Sequence, residues 1–315
     1  MKNTYQVSEK NRGVSRRRFL GSLTTVALSP VLVPMLVPTH GWAQSPGSAV
    51  LPLDTPGVDH LDIVVPDPEA SARFYMSVFN TKLHGQPFQG AIRYFILLAD
   101  LPENRQAGYI AIGAANGRDT SIGHFCTSVF NYRQDTAAIR AAMIDRFDAA
   151  GFGTFSGGGG FGGIFADPDG IEIQFLPAPD VVVGAAVPSD LVPEGQGLVT
   201  PRRIDHVLLH VSNLEEAVRY YRVLYGPEAG HQHGPERAWF QFPDSRIILE
   251  QAPYAYGGTP EIAHFGIKVD PFDRIEVASR LTEIGAEVME SPDEPEVLRF
   301  RDLDGITLEL IADRG

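Results

Sequence analysis

From His206 to Val211 the side chains alternate in character. Val207, Leu209 and Val211 share one parity, and His206, Leu208 and His210 share the other. A period of two marks a half-buried strand, because successive side chains leave a strand on opposite faces. The stretch is a copy of an earlier one. Asp59-His60 opens an apolar run followed by Glu69, Arg73, Phe74 and Tyr75; 146 residues later Asp205-His206 is followed, without a gap, by Glu215, Arg219, Tyr220 and Tyr221. A second pair, Ile122-Gly-His124-Phe125 and Ile262-Ala-His264-Phe265, runs in each case into a helical pattern, at 136–150 and 273–284. A third pair is a hairpin: Asp167-Pro-Asp-Gly170 before an apolar run at 171–176, and Asp302-Leu-Asp-Gly305 before one at 306–311. Asp-Gly between apolar runs signals a tight turn. The repeats predict four units, each a strand, a helix and three strands, at 57–113, 119–178, 202–252 and 261–312. The Pro-, Gly- and Val-rich stretch 179–201 reads as a linker between two halves.

Composition narrows the reading. With 43% hydrophobic residues in 315, the chain can bury one large or two medium cores. Its single cysteine, Cys126, excludes an internal disulfide and any cysteine-based metal cluster. The formal charge is −13, and six of the basic residues sit in the first 43 positions against Glu9 alone, so the remaining chain is more acidic still. Such a surface repels phosphate backbones, and no nucleic-acid partner is expected. The glycine run at 157–163 lacks the Lys-Ser/Thr ending of a phosphate cradle and reads as a rim loop.

The first 43 residues read as an address. Ser15-Arg16-Arg17-Arg18-Phe19-Leu20 resembles the twin-arginine export motif; a mildly apolar stretch follows, and Gly41-Trp42-Ala43 offers small residues for cleavage. Pro30, Pro34 and Pro38 interrupt the apolar stretch, which falls short of the roughly 20 apolar residues of a spanning helix. A cleaved signal peptide over 1–43, a leader segment over 44–56 and a periplasmic or secreted protein without a stable membrane anchor are expected. The partners this implies are the translocation machinery and a small-molecule substrate, and a homodimer is compatible. The route, as the resemblance implies, carries folded proteins, which suits a metal loaded before export.

The strand-opening Asp-His, the aromatic pair closing the first helix and the Asp-x-Asp-Gly hairpin together resemble the vicinal oxygen chelate superfamily, which includes glyoxalases, bleomycin-resistance proteins and extradiol dioxygenases. The resemblance implies an α+β fold in which βαβββ modules pair into cupped sheets with metal ligands inside the cup. Four modules then make two cupped mixed-sheet domains, 57–178 and 202–315.

Within that frame, strand parity selects the inward residues. His206 shares a face with Leu208 and His210; His264 lies opposite Phe265, Ile267 and Val269; and Glu309 lies opposite Leu308 and Leu310. Two neutral imidazoles and a carboxylate hold a divalent metal on one face and leave positions open. Glu250 also faces inward and, by resemblance to glyoxalases, is a candidate fourth ligand. Fe(II) is the expected metal, with Mn, Zn or Ni as alternatives. The first half carries His60 and His124 but Gln174 in place of the carboxylate, which predicts a metal-poor cup. Cys126 is read there as a small filler. His210, Arg299, Tyr254 and Tyr256 are the candidate catalytic residues, while His231 and His233 read as exposed loop positions. The extradiol pattern places a tyrosine three residues before the hairpin aspartate, where this chain has Arg299. Three functions remain open: an Fe(II)-dependent extradiol-type dioxygenase, a non-redox glyoxalase- or epimerase-like lyase or isomerase, and a small-molecule-binding protein of the resistance type.

Overall fold

The computed structural model describes residues 51–98, 108–130, 132–152, 164–178, 186–193, 195–233, 236–252, 259–289 and 294–314. The proposed signal peptide, the glycine run, Tyr254 and Tyr256 lie outside them.

The first half runs β1 (Gly57–Val65), α1 (Pro68–Val78), β2 (Leu83–Phe88), β3 (Ala91–Leu97), β4 (Tyr109–Ala114), β5 (Ser121–Phe130), α2 (Tyr132–Ala149), β6 (Ile164–Ala166), β7 (Glu172–Ala178) and β8 (Val187–Pro188). The second runs β9 (Thr200–Val211), α3 (Leu214–Tyr225), β10 (Gly230–Gln232), β11 (Arg237–Gln241), β12 (Arg246–Gln251), β13 (Glu261–Asp270), α4 (Arg274–Glu283), β14 (Glu287–Met289), β15 (Val297–Arg301) and β16 (Thr307–Ala312). Each half forms one eight-stranded sheet, ordered β6-β7-β5-β1-β4-β3-β2-β8 and β10-β11-β12-β9-β13-β16-β15-β14. Both are mixed. The central pairs, β1 with β5 and β9 with β13, are antiparallel, and each central strand has a parallel neighbour on its outer side.

Three units show the expected strand, helix and three strands. The second shows only β6 and β7 after its helix among the described residues. Val187–Pro188, in the stretch read as a linker, adds an edge strand beside β2.

The alternation read from the sequence appears as burial. Val207, Leu209, Val211, Phe265, Ile267 and Val269 are fully buried in a core shared by both sheets and their helices. The halves also exchange hydrogen bonds. Asp167 Oδ1 accepts from the backbone of Asp169 and Ile171 at 2.9 Å each, which closes its turn, while Oδ2 accepts from Tyr221 of α3 at 3.1 Å. Asp302 does the same, closing its own turn through Asp304 and Ile306 and accepting from Tyr75 of α1 at 2.7 Å. Gly170 and Gly305 end these turns at φ 86° and 85°, a conformation that costs a residue with a Cβ far more than glycine. Each hairpin aspartate therefore shapes its own turn and ties it to a helix of the other half.

Candidate metal centre

Strand register builds the centre. His206 on β9, Gly266 on β13 and Glu309 on β16 lie in one row across three strands. His264 stands two residues along the middle strand, level with Leu208. The glycine is required: a Cβ at 266 would lie 2.5 Å from the His206 ring. With that space clear, His206 Nε2 and His264 Nε2 each lie 3.5 Å from an oxygen of Glu309. The two rings are 5.2 Å apart and nearly perpendicular. All three residues are buried, and their ligand atoms lie within 4.8 Å of one another. Two imidazoles and one carboxylate on a single face form the donor set of a divalent cation with open positions.

Neighbouring groups prepare these donors. His206 Nδ1 lies 2.8 Å from Asp205 Oδ2, so the proton sits on Nδ1 and Nε2 presents a lone pair. Burial alone would raise the Asp205 pKa, but the His206 hydrogen bond and the Arg246 and Lys268 charges hold it well below the usual carboxylate range. Arg246 lies 3.1 Å and Lys268 3.3 Å from its oxygens. Burial, with the charge of Arg299, keeps the His264 pKa well below its ordinary value. Its imidazole is neutral, as metal binding demands. Arg299 donates from Nε to Glu309 Oε1 at 2.7 Å and so orients the carboxylate from the adjacent strand.

Glu250 stands apart from this cluster. It is level with His210, four residues along β9 from His206, or roughly 13 Å of strand. Arg237 donates to one of its oxygens, and His210 Nε2 lies 3.8 Å from the other. His210 Nδ1 is 3.3 Å from Glu261, which leaves the imidazole between two carboxylates. Of the remaining sequence candidates, His231 is exposed and paired with Glu228 at 2.8 Å, and His233 is exposed. Sequence reasoning missed the supporting residues Asp205, Gly266, Arg246, Lys268 and Arg237. Of these, only Asp205 left a signal, in the repeated Asp-His.

The first half repeats the row as His60, Cys126 and Gln174, with His124 offset on β5. His60 Nδ1 lies 2.7 Å from Asp59 Oδ1, and the His60 ring stacks on Tyr109 at 4.3 Å. His124 Nε2 is 3.4 Å from His60 Nε2 and 3.2 Å from Gln174 Oε1. Burial and the charges of His60 and Arg93 push the His124 pKa down to about 3. Toward the open side, Asp62 pairs with Arg93 at 2.5 Å, and Phe88 and Phe95 flank the guanidinium.

Comparisons with known proteins agree with this architecture. Residues 57–175 match the family described as the Glyoxalase/Bleomycin resistance protein/Dioxygenase superfamily. The 2,3-dioxygenase LapB from Pseudomonas sp. KL28 is 15% identical, with 83% of this chain and 93% of that one covered at a TM-score of 0.61. BphC, a halotolerant catechol dioxygenase, is 13% identical, with 82% and 87% covered at 0.55. The Mn(II)-bound glyoxalase from Novosphingobium aromaticivorans is 16% identical, with 82% and 83% covered at 0.55. At such identities the likeness concerns the fold alone. No curated protein matches the sequence.

Proposed function

From a chain whose residues 57–175 belong to the glyoxalase, bleomycin-resistance and dioxygenase superfamily, we propose a metal-dependent enzyme of the extradiol dioxygenase type. It acts through an Fe(II) centre in the second half on a small catechol-like or other vicinal-oxygen substrate. The observation that carries this reading is the convergence of His206, His264 and Glu309, three donors on one face, with Glu250 held elsewhere. Bound there, divalent iron supplies redox chemistry toward dioxygen and polarises adjacent substrate oxygens. The chain's own groups do the rest. Asp205 keeps the proton of His206 on Nδ1, and Arg299 fixes the Glu309 carboxylate. To His210, which lies between Glu250 and Glu261 on the same face of β9 as His206, we assign the transfer of a substrate hydroxyl proton at Nε2. The twin-arginine-like start of the chain extends the proposal to a periplasmic or secreted enzyme that is loaded before export.

One observation favours a second reading. The His210–Glu250 pair is an acid–base device that needs no redox metal, and it suits a glyoxalase- or epimerase-like lyase or isomerase working with Mn, Zn or Ni. One experiment separates the readings: anaerobic purification, metal analysis and oxygen uptake with a panel of catechols. Iron with substrate-dependent uptake supports the dioxygenase. Zinc, nickel or manganese without uptake supports the lyase or isomerase. A metal-free protein that still binds ligand points to a resistance-type binder.

A further inference from the structure

We propose that the second half carries a binding site for a small oxyanion of the phosphate, sulfate or carboxylate kind. Arg246 and Lys268 hold it in a cleft of about 320 Å³ whose wall also includes Arg203. The cleft lies beside the metal centre without including its three donors, and it takes the anion whether or not that centre is filled.

Strand register gathers the cations. Arg246 on β12 is level with His206 on β9, and Lys268 on β13 is level with Arg203, earlier on β9. Because β9 runs parallel to β12 and antiparallel to β13, the three side chains meet at one end of the sheet. The first half has the same register and no charge at these places: Tyr109 is level with His60, and Gly57 with Ser128. The three cations therefore belong to the second half and not to the fold.

Their acceptors are too few. A guanidinium offers five N–H donors and an ammonium three. Among the described residues Arg246 and Lys268 both draw on one carboxylate, Asp205, Arg246 through a terminal nitrogen at 3.1 Å and Lys268 at 3.3 Å. Asp205 must also serve His206 Nδ1 at 2.8 Å. Arg246 Nε is buried without a hydrogen-bond partner. Arg203 donates two nitrogens to Asp313, so it adds positive field rather than hydrogen bonds. Asp244 lines the cleft as well but pairs with neither Arg246 nor Lys268. The rest of the wall selects a small ligand. Gln241 and Ser245 are polar, and Pro243 is its one apolar residue among the described ones, so an aromatic ring gains little by burial there. The Gln241 amide holds this corner by donating to the carbonyls of Phe242 and Ser245 at 2.8 and 3.1 Å. A planar guanidinium beside a flexible ammonium suits an oxyanion, which accepts directed hydrogen bonds from the first and a point charge from the second.

The test titrates the purified full chain, stripped with a chelator, with inorganic phosphate, sulfate and benzoate by calorimetry at low chloride. One anion per chain is expected, with an affinity that falls as salt is raised. Arg246→Gln and, separately, Lys268→Met each weaken it by about 10-fold or more. A crystal soaked in selenate should show the anion within hydrogen-bond distance of Arg246 and Lys268, and this position decides should either variant fail to fold. Benzoate that binds with the same dependence on Arg246 assigns the site to the carboxylate of an organic ligand. Phosphate or sulfate binding without benzoate binding assigns it to a free inorganic anion, and either result upholds an oxyanion site. Absence of saturable binding, binding that survives both substitutions, or binding that appears only after metal is restored overturns the proposal. The last of these places the anion on the metal. A protein that takes phosphate but no metal upholds this site while counting against the second-half centre.

Discussion

The two halves present one backbone with two chemistries. In both, a row crosses three strands from an Asp-backed histidine to the last strand, with a second histidine offset on the middle one. The second half places Gly266 in the middle and Glu309 at the end; the first places Cys126 and Gln174 there. Arg299 stands across from Glu309, whereas Ile164 stands across from Gln174. Arg237 and Arg93 each bind a carboxylate, but Arg237 holds Glu250 on the neighbouring strand, whereas Arg93 on β3 reaches past β4 to Asp62 on β1, beside His124. The fold delivers the imidazoles in both halves, and a few row and rim residues decide whether a carboxylate or a neutral amide faces them.

The comparison breaks hardest at Glu309. Glu309→Gln gives the second row the donor set of the first, and should lower activity and Fe(II) affinity by about 100-fold or more, above the cost of losing a supporting partner. Steady-state oxygen uptake and metal titration measure it. Gly266→Ala imports the β-carbon of Cys126 into the second row, 2.5 Å from His206. Overpacking of this kind costs roughly 1–3 kcal/mol; taken up by displacement of the His206 ring, that is a loss of about 5- to 150-fold in metal affinity, with thermal unfolding still cooperative.

The cross-half bonds offer a milder test. Tyr75→Phe and Tyr221→Phe each remove a donor from a buried hairpin aspartate, which should cost about 1–3 kcal/mol, visible in denaturant unfolding at constant m-value. The smallest effect concerns pH. Burial raises the Asp167 pKa to about 6, against which its turn hydrogen bonds and Tyr221 pull it down. A raised folded-state value means protonation stabilises the fold: the contribution is complete below the unfolded pKa and disappears as pH climbs through about 6. Between pH 7.5 and 5 the wild type should gain roughly 1 kcal/mol relative to Asp167→Asn, measured by urea unfolding of both across that range.

Much of this arrangement was legible in the chain. The Asp-His repeat, the parity of 206–211 and the two Asp-x-Asp-Gly turns specify local geometry through nearest neighbours, and the structure shows those strands and turns. Parity also placed His206, His264 and Glu309 on one side of their strands. Register was not legible. Parity gives a face but not a height, so Glu250 could be assigned inward without revealing that it stands level with His210. The second role of Asp302 was equally hidden, since Tyr75 reaches it from 227 positions away. Arg299 could be suspected of a role, but its grip on Glu309 is a cross-strand pairing that appears only once β15 and β16 are aligned. Val187–Pro188 acquires its strand character only from the β2 edge it meets.

The central claim concerns where one cation sits. A crystal structure of the protein loaded anaerobically with Fe(II), with diffraction recorded on either side of the iron edge, locates the iron directly. The account predicts an anomalous peak within about 2.0–2.3 Å of His206 Nε2, His264 Nε2 and a Glu309 oxygen. Iron bound through Glu250 and His210, or no iron in the second half at all, would contradict it.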